Sequence, residues 1–245
     1  MASSGSDKIV IGFDLYGTLL STDSIMGKLG SIYDKGSAAS LATSWRRYQL
    51  EYTWRINSMG EYRDFSKITR SALEHAVAEH GFTLKEDEIE DLMRSYDALH
   101  VFPEIPAAMK LLEANRDRLA AYAFSNGTTA MVENSVRTSP ELGPLASTVF
   151  QSLITVDSIR CFKPDPRTYE HLIEVAGKTG QPGDVWVVSA NPFDIAGARA
   201  AGLRAAFIDR PGKGWMDRLV DEKRAPSVVA RSVDEAVQSI IDFEG

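Results

Sequence analysis

The chain has 245 residues, of which 44% are hydrophobic and 25% are charged. This composition is typical of a soluble globular protein with one sizeable core and room for a small accessory domain. The formal net charge of -7 argues against a dominant electrostatic attraction to nucleic acid or anionic lipid, although a local basic pocket is compatible with it. The single cysteine, Cys161, excludes an intramolecular disulfide framework and a cysteine-rich zinc site.

The first eight residues contain no apolar core of the kind that a signal peptide has. No apolar run in the chain is long enough to span a membrane. We therefore expect a cytoplasmic protein with neither a membrane nor a nucleic acid as its partner. We also expect the first residues to be disordered.

The first predicted element is a buried strand in the apolar run at residues 9–13, which ends immediately before Asp14. Residues 21–100 carry no strong strand pattern and are predicted to form a series of helices. Within them, Thr83 and Glu86 form a capping-box pattern, and apolar residues repeat at helical spacing as far as Leu99. We predict that residues 21–100 form an inserted helical cap.

From residue 101 onward, predicted helices and strands alternate. Strands are predicted at residues 119–124, 149–156, 185–188 and 205–208. Helices are predicted around residues 104–115, between the second and third strands, at 166–177, at 192–201, and after the capping-box pattern of Ser232 and Glu235. This alternation indicates a parallel sheet, so the predicted fold class is α/β with a core made of residues 1–20 and 101–245.

Polar residues follow four of the predicted strands, at the ends where an open parallel sheet binds its ligands. They are Asp14, the pair Ser125 and Asn126, Lys163, and the segment Ser189-Ala190-Asn191-Pro192-Phe193-Asp194. A carboxylate at the position of Asp14 is well placed to act as a nucleophile. Tyr16 stands two residues later, where a phosphatase would need a second acid to protonate a leaving alcohol. An aromatic residue there suits a leaving group that departs without a proton.

These segments resemble the motifs of the haloacid dehalogenase superfamily, and within it those of the L-2-haloacid dehalogenases. The matching patterns are Asp-x-Tyr-Gly-Thr from Asp14, Ser-Asn-Gly from Ser125, Lys-Pro-Asp-x-x-x-Tyr from Lys163 and Ser-x-Asn-x-x-Asp from Ser189. Residues 45–54 resemble the cap segment of the same family, and the resemblance spans about residues 9–210. It implies a Rossmann-like core, a four-helix cap, hydrolysis of 2-haloalkanoic acids and commonly a homodimer.

Carried over residue by residue, the resemblance makes Asp14 the carboxylate that displaces halide from carbon and forms an ester. Ser125 and backbone N–H groups at a helix start suit the carboxylate of the substrate. Lys163 would neutralise Asp14 and favour its ionised form. The family pattern assigns the departing halide to Arg46 and Asn126, and the spacing from Trp45 favours Arg46 over the adjacent Arg47.

The second half-reaction is hydrolysis of the ester by water, for which we expect a water-organising set made of Asp194, Asn191, Ser189 and Lys163. Thr18 and Tyr169 are expected to orient Asp14 and Lys163 by hydrogen bonding. The sequence does not indicate which of these groups accepts the proton of the attacking water. The substrate configuration would be inverted, so that an L-2-haloacid becomes a D-2-hydroxy acid. The alkyl group of the substrate would contact Tyr16, Leu50, Phe65 and Phe193.

Each of these residues also has a purely structural interpretation. Asp14 could be a turn acid, and Asp194 would be favoured in the first turn of a helix by the helix dipole alone. Ser125 and Asn126 could form a simple turn, and Lys163 could be a solvated loop lysine. Packing alone would account for the remaining side chains, Leu50, Phe65, Tyr169 and Phe193.

Three other functions remain open. A magnesium-dependent phosphatase would need acids where this chain has Tyr16 and Ser189. A related hydrolase of another 2-substituted acid is barely distinguished by the motifs, and a catalytically silent binding protein would have little reason to retain them. The four histidines show no ligand spacing, so no metal is predicted, and the motifs for nucleotide cofactors and for a Ser-His-Asp hydrolase are absent from the sequence.

Overall fold

The computed structural model describes residues 7–96, 99–139 and 141–244. Residues 1–6, for which disorder was predicted, lie outside the described residues, as does residue 245. These are the outermost ends of the predicted core ranges. Within the described part of the chain, one sheet contains six strands: β1 (Ile9–Phe13), β2 (Leu119–Ser125), β3 (Phe150–Thr155), β4 (Val185–Ser189), β5 (Arg204–Ile208) and β6 (Val228–Ala230). Their spatial order is β3-β2-β1-β4-β5-β6, and all pairs are parallel. The predicted α/β class is confirmed.

Strand β1 lies at the centre of the sheet, paired with β2 on one side and with β4 on the other. Its residues form a continuous apolar run, because helices cover both faces of a parallel sheet. Gly12 allows this strand to lie close to a covering helix, since an added Cβ would lie 2.8 Å from Cδ2 of Leu172 and would displace that side chain. The chain leaves β1 for β2 and later returns to its other side with β4, so the carboxyl ends of β1 and β4 flank the switch point of the sheet.

Four helices lie between β1 and the rest of the core: α1 (Asp23–Ile32), α2 (Lys35–Ser58), α3 (Phe65–Glu79) and α4 (Glu86–Ser95). Helix α2 packs against α1 and α3, and α4 packs against the same two helices, which closes the group into a four-helix arrangement. Side chains of α2 contact residues that follow β1, β3 and β4. The helical group therefore lies over the carboxyl edge of the sheet.

Six further helices belong to the sheet region of the described chain: α5 (Ile105–Ala114), α6 (Thr129–Thr138), α7 (Gly143–Val149), α8 (Pro166–Val175), α9 (Pro192–Ala200) and α10 (Val233–Phe243). Helix α5 packs against α7 and α10, and α8 packs against α9. The predicted elements of the sheet region are found with boundaries that differ by about two residues or fewer.

The structure differs from the sequence prediction at three places. The predicted capping box of Thr83 and Glu86 is wrong: α4 begins at Glu86, and the carboxylate of Glu88 accepts from the N–H of Lys85 at 2.7 Å. Two helices, α6 and α7, connect β2 and β3, where one was predicted. The short strand β6 was missed because three residues carry no readable alternation.

Candidate active site

Asp14 follows the last residue of β1 and is 8% exposed. Its Oδ2 atom accepts hydrogen bonds from Thr18 Oγ1 at 2.7 Å, Asn191 Nδ2 at 2.8 Å and Ser189 Oγ at 3.4 Å. Its Oδ1 atom lies 3.3 Å from Nζ of Lys163. The carboxylate is therefore fixed mainly through one oxygen, with a cation beside the other.

The loop after Asp14 is held by a residue that follows β5. Gly17 adopts a φ of 85°, a conformation that favours glycine and turns the chain so that Thr18 can reach back to Asp14. The guanidinium of Arg210 donates to the carbonyl oxygens of Gly17 at 3.3 Å and Thr18 at 2.7 Å. Arg210 is also paired with Glu104 at 2.6 Å, so its position is itself fixed. No local sequence pattern identifies this arginine.

Lys163 is 1% exposed, and its ammonium group has three acceptors within hydrogen-bonding distance. They are Asp14 Oδ1 at 3.3 Å, Asp194 Oδ2 at 2.9 Å and the carbonyl oxygen of Phe124 at 2.8 Å. An ammonium group has three N–H bonds, so the hydrogen-bonding capacity of this buried cation is fully used. Lys163 thus bridges two buried carboxylates that would otherwise repel each other.

Asp194 lies in the first turn of α9 and is fully buried. Its Oδ1 atom accepts from the hydroxyl of Tyr169 at 3.0 Å. Burial raises the pKa of Asp194, as does the nearby charge of Asp14, whereas Lys163 and the Tyr169 hydroxyl oppose that rise. Burial and the charge of Asp194 hold the pKa of Tyr169 well above its ordinary value, so Tyr169 is a neutral donor.

Tyr169 was expected to orient Lys163 by a hydrogen bond, and this detail is wrong. Its hydroxyl contacts Asp194 and the Asp194 carbonyl oxygen at 3.2 Å, and Asp194 in turn contacts Lys163. The physical reason is that the three N–H bonds of the Lys163 ammonium are already taken by Asp14, Asp194 and the Phe124 carbonyl oxygen, so the hydroxyl donates its proton to the carboxylate of Asp194.

Ser125 and Asn126 stand at the end of β2, directly before α6. The hydroxyl of Ser125 accepts from the N–H of Gly127 at 3.1 Å, and Oδ1 of Asn126 accepts from the N–H of Lys163 at 2.9 Å. Thr128 caps α6, its Oγ1 accepting from the N–H of Met131 at 3.3 Å. The turn that was the simpler interpretation of this segment is therefore present. In addition, Asn126 binds the backbone of Lys163 directly.

Arg46 of α2 reaches from the helical layer to the carboxyl edge of the sheet. Its guanidinium lies 3.4 Å from both the carbonyl oxygen of Tyr16 and Oδ1 of Asn191, and it donates to Oε1 of Gln49 at 2.6 Å. Arg47 points to the other side of the helix, where it pairs with the exposed Glu79 at 3.1 Å. The structure thus brings Arg46 to the site and leaves Arg47 at the surface.

Aromatic side chains meet where the helical layer lies over the carboxyl edge of the sheet. Tyr16 is stacked on Phe65 with ring centroids 6.2 Å apart, and its ring also meets the edge of Tyr96 at 6.0 Å. Phe193 of α9 meets Trp54 of α2 at 5.4 Å. Leu50 is half-buried and lies one turn from Arg46 along α2, on the same side of the helix.

Several residues that contact this site were not assigned a role from the sequence. Gln49 holds the Arg46 guanidinium, Tyr96 packs on Tyr16, and Trp54 meets Phe193. Gln49 carried a signal, since a polar residue on a buried stripe of a helix needs a buried partner. Tyr96 and Trp54 carried none, because aromatic residues at helical spacing are usual in any helical core.

No group of three or more His, Cys, Asp or Glu side chains among the described residues is arranged to hold a metal ion. Asp14 and Asp194, the two acids of the site, instead share the ammonium of Lys163. Cys161 is buried two residues before this lysine, and burial raises the pKa of its thiol, as expected for a packed side chain.

Among the helices of the described residues, none combines the length and the apolar composition that a membrane span needs.

A buried aspartate at the end of the central strand, paired with a lysine beneath a layer of helices, is the arrangement that a hydrolase with an aspartate nucleophile would need on a doubly wound α/β fold. A sequence model of haloacid dehalogenase-like hydrolases matches residues 10–202. The chain therefore belongs to the haloacid dehalogenase-like hydrolases, within the family of the L-2-haloacid dehalogenases.

Individual relatives agree with this assignment. The haloacetate dehalogenase H-2 of Moraxella sp. (strain B) is 34% identical over 202 residues, which cover 82% of this chain and 86% of the relative. The (S)-2-haloacid dehalogenase of Pseudomonas fluorescens is 34% identical over 224 residues, which cover 91% and 92%. The solved structure of the L-2-haloacid dehalogenase of Xanthobacter autotrophicus with covalently bound chloropropionic acid superposes with a TM-score of 0.81 at 28% identity, covering 96% of this chain and 98% of that chain.

Proposed function

We propose that the protein is an (S)-2-haloacid dehalogenase, which hydrolyses short L-2-haloalkanoic acids to D-2-hydroxyalkanoic acids and halide. The observation that carries this proposal is the environment of Asp14. Its Oδ2 atom accepts three hydrogen bonds, its Oδ1 atom faces Lys163, and Tyr16 occupies the position where a phosphatase would have its second acid. The relatives named as haloacid dehalogenases support the same activity.

In the first half-reaction, an oxygen of Asp14 attacks carbon 2 of the substrate from the side opposite the halogen. The carbon–halogen bond breaks with its electron pair, halide departs, and an ester joins Asp14 to the substrate. Because Oδ2 is already bound by Thr18, Asn191 and Ser189, Oδ1 is the attacking atom in this proposal. Back-side attack inverts the configuration at carbon 2.

Two anions have to be bound during this step. The substrate carboxylate is bound by Ser125 and by backbone N–H groups at the start of α6, where the helix dipole favours negative charge. The departing halide is received by the guanidinium of Arg46 and by the amide nitrogen of Asn126, whose oxygen is already engaged by Lys163. Because the surroundings are apolar, these ionic contacts are stronger than they would be in water.

In the second half-reaction, water attacks the carbonyl carbon of the Asp14 ester. Asp194, held by Lys163 and Tyr169, is the group in this site that accepts the proton from water. The acyl–oxygen bond then breaks, and the leaving alkoxide, whose oxygen came from Asp14, takes the proton held by Asp194 and departs as the 2-hydroxy acid. The Asp14 carboxyl loses the remaining proton to solvent, which regenerates its carboxylate. Ser189 and Asn191 keep this carboxylate in place through the cycle.

We further propose that residues 21–100 form the cap domain and residues 1–20 and 101–245 the core. In this arrangement the cap supplies Arg46, Leu50 and Phe65, while the core supplies Tyr16 and Phe193, so the pocket for the alkyl group exists only where the two meet. The stacking of Tyr16 on Phe65, with ring centroids 6.2 Å apart, supports a wall of this pocket that is made by both regions. A cytoplasmic location and a homodimer remain predictions from the sequence.

Single-turnover hydrolysis of L-2-chloropropionate in H₂¹⁸O tests the proposal. With enzyme in excess, ¹⁸O is expected in Asp14, detected by mass spectrometry of its peptide, and the lactate formed is expected to carry unlabelled oxygen. Label in the product instead would mean direct attack by water and would overturn the ester mechanism. A protein that releases no halide but releases phosphate from a phosphate ester in the presence of Mg²⁺ would be a phosphatase.

A further inference from the structure

Asn57, in the last turn of α2, binds the backbone of Phe162 with both ends of its side-chain amide. Its Nδ2 atom donates to the carbonyl oxygen of Phe162 at 2.6 Å, and its Oδ1 atom accepts from the N–H of Phe162 at 3.0 Å. The two residues are 105 positions apart in the chain, and they belong to the helical layer and to the sheet region. Both the N–H and the carbonyl oxygen of Phe162 are therefore hydrogen-bonded to one side chain, as they would be to a neighbouring strand.

Phe162 immediately precedes Lys163, the buried cation of the site. The N–H of Lys163 itself donates to Oδ1 of Asn126 at 2.9 Å. Two successive backbone N–H groups are therefore held by two asparagine side chains, one from α2 and one from the end of β2. The Phe162 ring is held as well, stacked on Tyr62 at 5.2 Å and in contact with Phe65 at 6.0 Å.

The position of this backbone controls where the lysine ammonium can lie. The side chain of Lys163 is buried, and its Nζ atom meets Asp14, Asp194 and the Phe124 carbonyl oxygen at 2.8–3.3 Å. A displacement of the Phe162–Lys163 backbone would change all three distances together. Displacements of about 1 Å in a catalytic arrangement can lower the rate by about 10²-fold.

We propose that Asn57 is a positioning residue for Lys163, acting through the backbone of Phe162. The inference rests on the proposed function, because it assigns Asn57 to the reaction that Asp14 and Lys163 perform. It also gives the helical layer a role beyond covering the pocket. When α2 lies over the sheet, it fixes the position of Lys163, which bridges the two carboxylates. Enclosure of the substrate and assembly of the site therefore occur together.

A simpler possibility is that Asn57 only fastens the helical layer to the sheet region, and Tyr62 provides the matched control for it. The hydroxyl of Tyr62 donates to Asp157, so this bond also joins the two regions, but Asp157 is six residues before Lys163 and its side chain does not bind the lysine backbone. Tyr62→Phe removes this bond and keeps the ring that stacks on Phe162. A fastening role predicts similar behaviour of the two variants, whereas a positioning role predicts different behaviour.

The experiment measures kcat, KM and amide hydrogen exchange for wild type, Asn57→Ala and Tyr62→Phe, with L-2-chloropropionate as substrate. For Asn57→Ala we expect kcat to fall about 10-fold, KM to stay within about twofold, and exchange of the 162 and 163 amides to become faster. For Tyr62→Phe we expect an unchanged kcat. If Asn57→Ala does not fold, Asn57→Ser, whose side chain is too short to make both bonds, takes its place.

A wild-type kcat in the Asn57 variant, or an equal fall of kcat in both variants, would overturn the positioning role. Unchanged exchange at residues 162 and 163 would show that Asn57 does not hold this backbone. A wild-type protein that releases no halide would instead contradict the proposed function, and the exchange rates would still decide whether the Asn57 contact holds the lysine segment.

Discussion

The hydroxyl of Tyr169 donates a hydrogen bond to the carboxylate of Asp194 at 3.0 Å, and both side chains are buried. This bond opposes the rise in the pKa of Asp194 that burial and Asp14 cause. If Asp194 accepts the proton of the hydrolytic water, it has to be ionised to do so. Catalysis is then lost as the pH falls through the raised pKa of Asp194.

The Tyr169→Phe variant tests this relationship. Without the hydroxyl, the ionised form of Asp194 loses a donor, so the pKa of Asp194 rises further and the acidic limb of the kcat profile moves to higher pH. The expected measurement is kcat for halide release across the acidic range, for wild type and variant. If the acidic limb of the kcat profile does not move in a folded variant, then the ionisation of Asp194, or its bond to Tyr169, does not control the rate-determining step.

Asp14→Asn should abolish halide release, because a neutral amide is a far weaker nucleophile than a carboxylate and cannot form the ester. The donors Thr18 and Asn191 would still have an oxygen to bind, so the variant is expected to fold. Circular dichroism and a halide assay under single-turnover conditions check the two statements separately. Appreciable halide release by the folded variant would contradict the assignment of the nucleophile.

Arg46→Ala should lower kcat for halide release by about 10²-fold, similar to the loss of one donor from an oxyanion hole. Arg47→Ala is the matched control, since it removes the same charge from the next residue of α2. The Arg47–Glu79 pair is exposed, so its loss should change neither kcat nor the unfolding midpoint appreciably. A comparable loss of activity in both variants would point to a general effect of cap charge rather than to halide binding.

Gly197→Ala should destabilise the protein by about 1–3 kcal/mol, although alanine is the better helix former. A Cβ at residue 197 would lie 2.7 Å from both Cε2 of Tyr169 and Cβ of Pro164, so it would displace the tyrosine that binds Asp194. Gly27→Ala in α1, where an added Cβ meets nothing within 4 Å, should instead stabilise the protein by about 0.5–1 kcal/mol. Urea unfolding of both variants measures these changes, and a stabilised Gly197→Ala would show that α8 and α9 are less tightly packed than the structure indicates.

The main parts of the fold and site were predictable because they depend on local patterns and one topological rule. The apolar run before Asp14 and the alternation after residue 101 indicate a parallel sheet, and the carboxyl ends of neighbouring strands meet at one edge. Asp14, Lys163 and Asp194 were therefore expected near each other, and the structure brings them within hydrogen-bonding distance. The start of α4 was misplaced because a Thr-x-x-Glu pattern can match by chance a few residues away from the true cap.

The remaining features depend on how distant segments pack. The contact of Asn57 with Phe162 and that of Arg210 with Thr18 join residues 105 and 192 positions apart. Neither asparagine nor arginine is unusual in a helix end or a loop, so no local pattern reveals their partners. The bond of Tyr169 to Asp194 was mistaken for one to Lys163, because the sequence gives proximity but not the pairing of donors with acceptors.

Because β1 is central in the sheet, it is synthesised long before one of the two strands that flank it. Asp14 is residue 14 of the chain, but its neighbours β4, Asn191, Asp194 and Arg210 come from the last quarter or so of the described chain. During synthesis the ribosome has therefore made most of the polypeptide before these neighbours of Asp14 exist. A nascent chain halted before residue 185 contains Asp14 and β2 but lacks β4, the other strand neighbour of β1, and the Oδ2 donor Asn191.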